Sequence, residues 1–206
     1  MLPRRKRSKE ATTIQGASCH STMPCARIVL REKRVEAHPS RPCPTTRVPL
    51  TMVDVEALRA IHVADVIQQA VQARQVSYSP YSSFRVGAAL LLEDGTIIVG
   101  ANVENASYGA CICAERSAIV KWKTEAEHRI KRIIGVGVSA DTPEPCTPCG
   151  ICRQVLREFC DQDTPVWMPW KDWTPAHREQ EHVLTLTLAE LLPNSFGPNT
   201  LHHRTR

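Results

Sequence analysis

The apolar positions of this chain fall into two periods, one of about 3.6 residues and one of two. Leu58, Ile61, Val66, Ile67, Ala70 and Val71 recur at helical spacing, and Asp54 just before them suits an N-cap, so a helix is predicted from there to about Gln75. Ser77 to Ser83, with Pro80 inside it, reads as a turn region. Phe84 to Leu92 reads as a strand, Asp94-Gly95 as a turn, and Thr96 to Gly100 as the returning strand. Asn102 to Cys111 is loop, and Ala114 to about Lys123 is helical. Arg132 to Ala140 is a β-branched run that suits a buried strand. Asp141 to Pro148, with three prolines, is loop, and Cys149 to Phe159 is the next helix. Val166 to Trp170 and Val183 to Leu188 are strands joined by a polar, hairpin-like connection, and Ala189 to Leu192 adds one helical turn. This order predicts a central five-stranded sheet with helices on its faces.

Residues 1–51 break the pattern. They open with Pro3-Arg4-Arg5-Lys6-Arg7, carry Pro24, Pro39, Pro42, Pro44 and Pro49, and hold one short apolar run, Ile28-Val29-Leu30. Such a segment buries too little apolar surface to offset the entropy of ordering, so it is expected to be a disordered extension, with the domain in residues 52–206. The basic cluster reads as a nuclear address and the scarcity of acids as a mitochondrial transit peptide; the plainer readings are a spacer, or sequence outside the working protein if initiation is at Met52. Charge follows the same division. Residues 1–51 hold 11 Lys/Arg against 3 Asp/Glu, a surplus of +8, and residues 52–206 hold 15 against 18, or −3. A domain of −3 makes a poor polyanion binder, so nucleic acid is not the expected partner, whereas an uncharged small molecule is compatible. The nine Cys are odd in number and follow no secretory apolar segment, which argues for reduced thiols in an intracellular, cytoplasmic protein. No run of 18 apolar residues exists to span a membrane.

Chemistry concentrates in Cys113-Ala114-Glu115 and Pro148-Cys149-Gly150-Ile151-Cys152. Three thiolates leave the fourth tetrahedral position of a zinc ion open, as in catalytic rather than structural sites. Glu115 is then placed as a proton carrier rather than a ligand, the signature of zinc nucleobase deaminases. Each ligand group opens a helix, where the positive end of the helix favours thiolates, and Pro148 suits a helix start. Zinc with three thiolates is formally −1, so Arg116 and Arg153 are expected to hydrogen-bond sulfur and offset that charge. Cys111 and Cys146 supply spare thiols for a rival reading, a closed four-thiolate structural module, in which Glu115 has no task. Cys160 reads as a core thiol.

Residues 78–160 and the stretch Ala189 to Pro198 resemble the free-nucleoside cytidine deaminases. The matching words are Tyr78-Ser-Pro-Tyr-Ser-Ser-Phe-Arg-Val-Gly-Ala-Ala-Leu90, Asn102-Val-Glu-Asn-Ala-Ser-Tyr108, Cys113-Ala-Glu-Arg-Ser-Ala-Ile119, Pro148-Cys-Gly-Ile-Cys-Arg-Gln154 and Leu191-Leu-Pro-Asn-Ser-Phe-Gly-Pro198. None of them falls in the first 51 residues. The resemblance implies an α/β fold of three layers, α-β-α, around a mixed five-stranded sheet. It implies one zinc per subunit on Cys113, Cys149 and Cys152, with Glu115 as the proton shuttle. Asn102 and Glu104 would bind the ribose hydroxyls and Phe84 would line the base pocket. The backbone around Ala114 and Thr147 would orient the leaving amino group. Phe196 would reach the site of a neighbouring subunit, with Tyr81 and Tyr108 nearby, which implies a homotetramer with shared sites. The implied reaction is hydrolysis of cytidine and deoxycytidine to the uracil nucleosides and ammonia, a step of pyrimidine salvage. Rival readings are a deaminase of another cytosine nucleoside, such as a nucleoside antibiotic, and a polynucleotide-editing deaminase. Two departures from the family pattern, Ser107 and Gly109-Ala-Cys111, leave the ligands intact, and the second puts the path of that loop in question. The connection from Lys171 to Glu181 looks longer than usual.

Overall fold

A computed structural model describes residues 54–177 and 182–201. The expected disordered extension, residues 1–51, lies outside the described residues, as does part of the 171–181 connection.

Helix α1, Val55–Ala73, starts where Asp54 caps it: the Asp54 carboxylate accepts from the Ala57 N–H at 3.1 Å. Its buried stripe is Val63, Val66, Ile67, Ala70 and Ala73. Ile61, expected in that stripe, is 69 % exposed. It lies five residues, some 140° of helix, from Val66, and Val63 takes the core position instead.

Strands β1 (Val86–Leu92), β2 (Ile97–Ala101), β3 (Ile133–Ala140), β4 (Pro165–Pro169) and β5 (Val183–Thr187) form one sheet in the order β2-β1-β3-β4-β5. Every neighbouring pair is antiparallel except β3 with β4, so the sheet is mixed as expected. The β3 strand is buried along its whole length, as its β-branched run predicts. Alternation along β1 sends Leu90 and Leu92 to one face and Ala89 and Leu91 to the other. On the second face α1 packs with Ile134, Trp167 and Trp173. On the first lie α2 (Ala114–Thr124), α3 (Gly150–Phe159) and the single turn α4 (Leu188–Leu191), through Ala118, Ile119, Trp122, Leu156, Leu188 and Leu191. Helices on both faces make the three layers. A last turn, α5 (Pro198–Leu201), was not legible in the sequence pattern.

Two features of this packing position the chemistry. A Cβ on Gly100 of β2 would come within 2.4 Å of the Ala118 nitrogen and 2.7 Å of the Ala114 oxygen. Only glycine therefore lets α2 lie directly on β2, and with it the start of α2 that carries Cys113. At the same end of the sheet Asp141, just after β3, pairs with Arg85 at 2.8 Å and Arg74 at 3.5 Å, tying the end of α1 to the chain entering β1.

Candidate active site

Two helix starts converge at the end of the sheet where β1 begins and β3 finishes. Cys113 occupies the N-cap of α2 and Cys149 the N-cap of α3, with Cys152 in the first turn of α3. Pro148 sits one residue before the cap rather than inside the helix, so it directs the chain into Cys149. The three thiols lie within 4.8 Å of one another, and the Cys113 and Cys149 sulfurs are 3.8 Å apart. Four ligands set tetrahedrally at about 2.3 Å from zinc are themselves separated by about 3.8 Å. The donors and their spacing fit zinc.

The spare thiols stay out. Cys111 Sγ accepts from the Asn105 N–H at 3.3 Å, and Cys146 Sγ lies 3.9 Å from the Thr147 carbonyl. Among the described residues the cluster holds three thiols, which leaves an open coordination position. Six free cysteines are described, and Cys160 is the buried core thiol expected, its pKa pushed up to about 12 by burial.

The cluster shares its charge unequally. Cys113 is drawn down to about 5, chiefly because the Cys152 thiol donates to it, with help from Arg116 and Cys149. Cys152 is driven up by the same contact and by burial. A second thiolate in this small space needs a cation, so metal uptake must displace the Cys152 proton. Arg116 Nη2 reaches Cys113 Sγ at 3.8 Å and the Cys111 carbonyl at 2.9 Å, as its expected role requires. Arg153 does not touch sulfur. Its guanidinium goes to the Pro148 carbonyl, the Thr147 hydroxyl and the Leu191 carbonyl, because those acceptors face it across the turn.

Glu115 is 3 % exposed on the first turn of α2. Burial raises its carboxyl above the usual range, and the Cys113 charge adds to this. It opens onto a cavity of about 240 Å³ that Phe84, Asn102, Glu104, Cys113, Thr147 and Cys149 also line. Ala114, buried at the start of α2, lies between Cys113 and Glu115.

Asn102 and Glu104 both hold the loop before β1. Asn102 Oδ1 accepts from the Val86 N–H at 2.8 Å and from Ser77 Oγ, while its Nδ2 donates to the Phe84 carbonyl at 2.9 Å. The side chain thus replaces a ladder partner there, which is why β1 begins at Val86 and not at Phe84. One Nδ2 hydrogen remains free to donate. Glu104 accepts from the Tyr81 and Ser82 N–H groups at 2.9 and 3.2 Å and from the Ser82 hydroxyl. Its carboxyl is pulled below the usual range, first by the Ser82 hydroxyl. A carboxylate has about four acceptor sites, so one is left. Ser77 and Ser82 escaped the sequence reading, because a serine in a turn carries no signal of what it will bind. Ser83, with φ of 57°, gives this loop its sharp path.

The loop in question after Asn102 takes a short 3₁₀ turn, Tyr108–Ala110, then returns through Ile112 paired with Val103. Tyr108 stands 5.9 Å from Tyr81, ring to ring, and both are exposed. Phe196 is 59 % exposed and does not line the cavity of its own chain.

Three thiols at two helix starts, an open position and a buried carboxylate define a hydrolytic zinc centre. Comparison with known proteins agrees. Residues 62–168 match the model of the cytidine and deoxycytidylate deaminase zinc-binding region. The cytidine deaminase of Halalkalibacterium halodurans is 45 % identical over 130 residues, covering 63 % of this chain and 90 % of that one. The cytidine deaminase of Sporosarcina psychrophila is 41 % identical over 141 residues, covering 68 % and 96 %. The crystal structure of cytidine deaminase from Burkholderia pseudomallei superposes with a TM-score of 0.54 at 37 % identity, covering 64 % of this chain and 97 % of that one. The chain belongs to the cytidine and deoxycytidylate deaminase family, and its cofactor is zinc.

Proposed function

We propose that this protein hydrolyses free cytidine, and deoxycytidine with it, to uridine or deoxyuridine and ammonia, as a step of pyrimidine salvage in the cytoplasm. The observation that carries the reading is the buried Glu115 carboxylate beside a three-thiol cluster, in one cavity with the Asn102 and Glu104 side chains. Zinc, when bound by Cys113, Cys149 and Cys152, supplies Lewis acidity that lets a water lose its proton near neutral pH. Glu115 takes that proton and delivers it to N3 of the ring as the water oxygen adds at C4. It then carries the second proton to the amino nitrogen, which leaves as ammonia, and the carbonyl of the uracil ring closes. Burial that raises the Glu115 pKa suits a group that must both accept and return a proton. Phe84 lies along the base, and the backbone around Ala114 and Thr147 orients the departing amine. The free Nδ2 hydrogen of Asn102 and the remaining acceptor site of Glu104 offer a donor and an acceptor side by side, which suits a sugar hydroxyl.

The assembly proposed is a homotetramer in which Phe196 of one subunit completes the base pocket of another. Support comes from the exposed Phe196 and from the apolar groove of about 460 Å³ between α2 and α3, lined by Ile112, Val120, Val155 and Phe159. The confinement of the thiol cluster to three members speaks against the closed structural module. Among the described residues no helix is long and apolar enough to cross a membrane.

The test of the mechanism is Glu115→Gln. Turnover of cytidine is expected to fall by at least the ~10²–10⁴-fold typical of a lost general acid–base, with zinc content unchanged. A zinc-loaded Gln variant with near-normal turnover would overturn it.

A further inference from the structure

Arg153 is spent on three acceptors from two distant parts of the chain. Its Nε donates to the Pro148 carbonyl at 2.7 Å, its Nη2 to Thr147 Oγ1 at 2.8 Å, and its Nη1 to the Leu191 carbonyl at 2.9 Å. Pro148 is buried, so its carbonyl needs a partner from within the protein. Leu191 is the last residue of α4, where helix carbonyls lack intrahelical donors. The side chain therefore closes two open accounts of hydrogen bonding at once. Its neighbours on α3 hold the same arm of the chain. Gln154 Nε2 donates to the Phe196 carbonyl at 3.3 Å, and Gly197 rests on the Arg157 guanidinium so closely that a Cβ would meet it at 2.5 Å.

We infer that Arg153 is a positioning residue that locks the Thr147-Pro148 turn, which lines the cavity and leads into Cys149, to the end of α4, from which the segment carrying Phe196 departs. A planar fork with five N–H donors can serve three acceptors in fixed directions; an ammonium group at the end of a flexible stem cannot. Substrate contact from the turn and presentation of Phe196 are thereby set by one side chain. The inference rests on the proposed function only for its kinetic consequence.

Arg153→Met keeps the apolar stem and removes every donor. With zinc-loaded protein, kcat/KM for cytidine is expected to fall by roughly 10- to 100-fold, the loss typical of missing charge-assisted hydrogen bonds. Arg153→Lys should restore only a minor part. Thr147→Val removes a single bond and should cost several-fold in the wild-type background and nothing further on top of Arg153→Met, and Thr147→Ser, which keeps the hydroxyl, should lose less than Thr147→Val. If Arg153→Met does not fold, the Thr147 pair decides alone: Thr147→Val with wild-type kinetics overturns the inference. Amide hydrogen exchange supplies a reading independent of catalysis. Peptides covering 146–149 and 192–197 should both exchange faster in Arg153→Met, or in Thr147→Val for the first of them, while α1 stays protected. Faster exchange spread over the whole domain, or unchanged in both peptides, would overturn the inference. A wild-type protein inert toward cytidine would sink the proposed function and leave the exchange data to judge the lock.

Discussion

At the scale of residues, the site is built from side chains that each have a second duty. Asn102 and Glu104 were legible as polar residues in a loop with a sugar-binding role implied by resemblance. Their structural work, bracing the Phe84–Val86 and Tyr81–Ser82 backbone, was not, because it depends on hydrogen bonds closed only in three dimensions. The thiols were legible for the opposite reason. Their spacing along two short words is itself the geometry, once each word opens a helix. Arg116 and Arg153 show the limit of that reasoning. Both stand close to a clustered cysteine in sequence, yet only Arg116 faces sulfur. Arg116→Gln is therefore expected to weaken zinc binding by about 10- to 100-fold, as loss of a group hydrogen-bonded to a ligand does. Competition with a metal chelator measures it, and unchanged affinity would remove Arg116 from the account.

At the scale of elements, strands and helices followed the apolar periods closely, and departures occur where tertiary contacts intervene. The β1 strand starts late because a side chain takes over its ladder bonds, and α1 turns Ile61 outward because its stripe is set by Val63, Val66 and Ala70. Gly100 is a position whose importance no pattern reveals, since it is decided by how closely α2 approaches β2. Gly100→Ala should cost roughly 1–3 kcal/mol, as overpacking does, and lower zinc content by shifting Cys113. Thermal unfolding and metal analysis of the same sample check this, and loss of stability with full zinc content would separate the two effects. Asp141 fastens α1 and β1 at the site end. Hydrogen bonding from Arg85 holds its carboxyl below the ordinary range, so its stabilising effect is present above the unfolded value near 4 and fades as pH falls through the lower folded value. Asp141→Asn should lower Tm by a few degrees at pH 7, consistent with about 1 kcal/mol in a domain of this size. The gap between variant and wild type should narrow below pH 4; a gap that persists unchanged in acid would contradict the ion-pair origin.

At the scale of the whole molecule, a domain of net charge −3 whose candidate site joins a three-thiol cluster and a buried carboxylate at one cavity is suited to a small neutral substrate. The exposed aromatic side chain of Phe196 and, apart from it, the apolar groove between α2 and α3 both suit the homotetramer proposed above. Phe196→Ala should leave zinc in place and reduce kcat/KM for cytidine by about 10-fold, in line with the contribution of one aromatic contact. A variant with wild-type kinetics would show that each subunit acts alone. One measurement decides whether this protein is a cytidine-hydrolysing zinc enzyme: turnover of free cytidine by the purified, zinc-loaded protein, with uridine and ammonia followed together. Equimolar release of the two is expected, abolished when a strong chelator removes zinc and regained when zinc is returned. A folded protein with zinc on its three thiols that leaves cytidine untouched would contradict it.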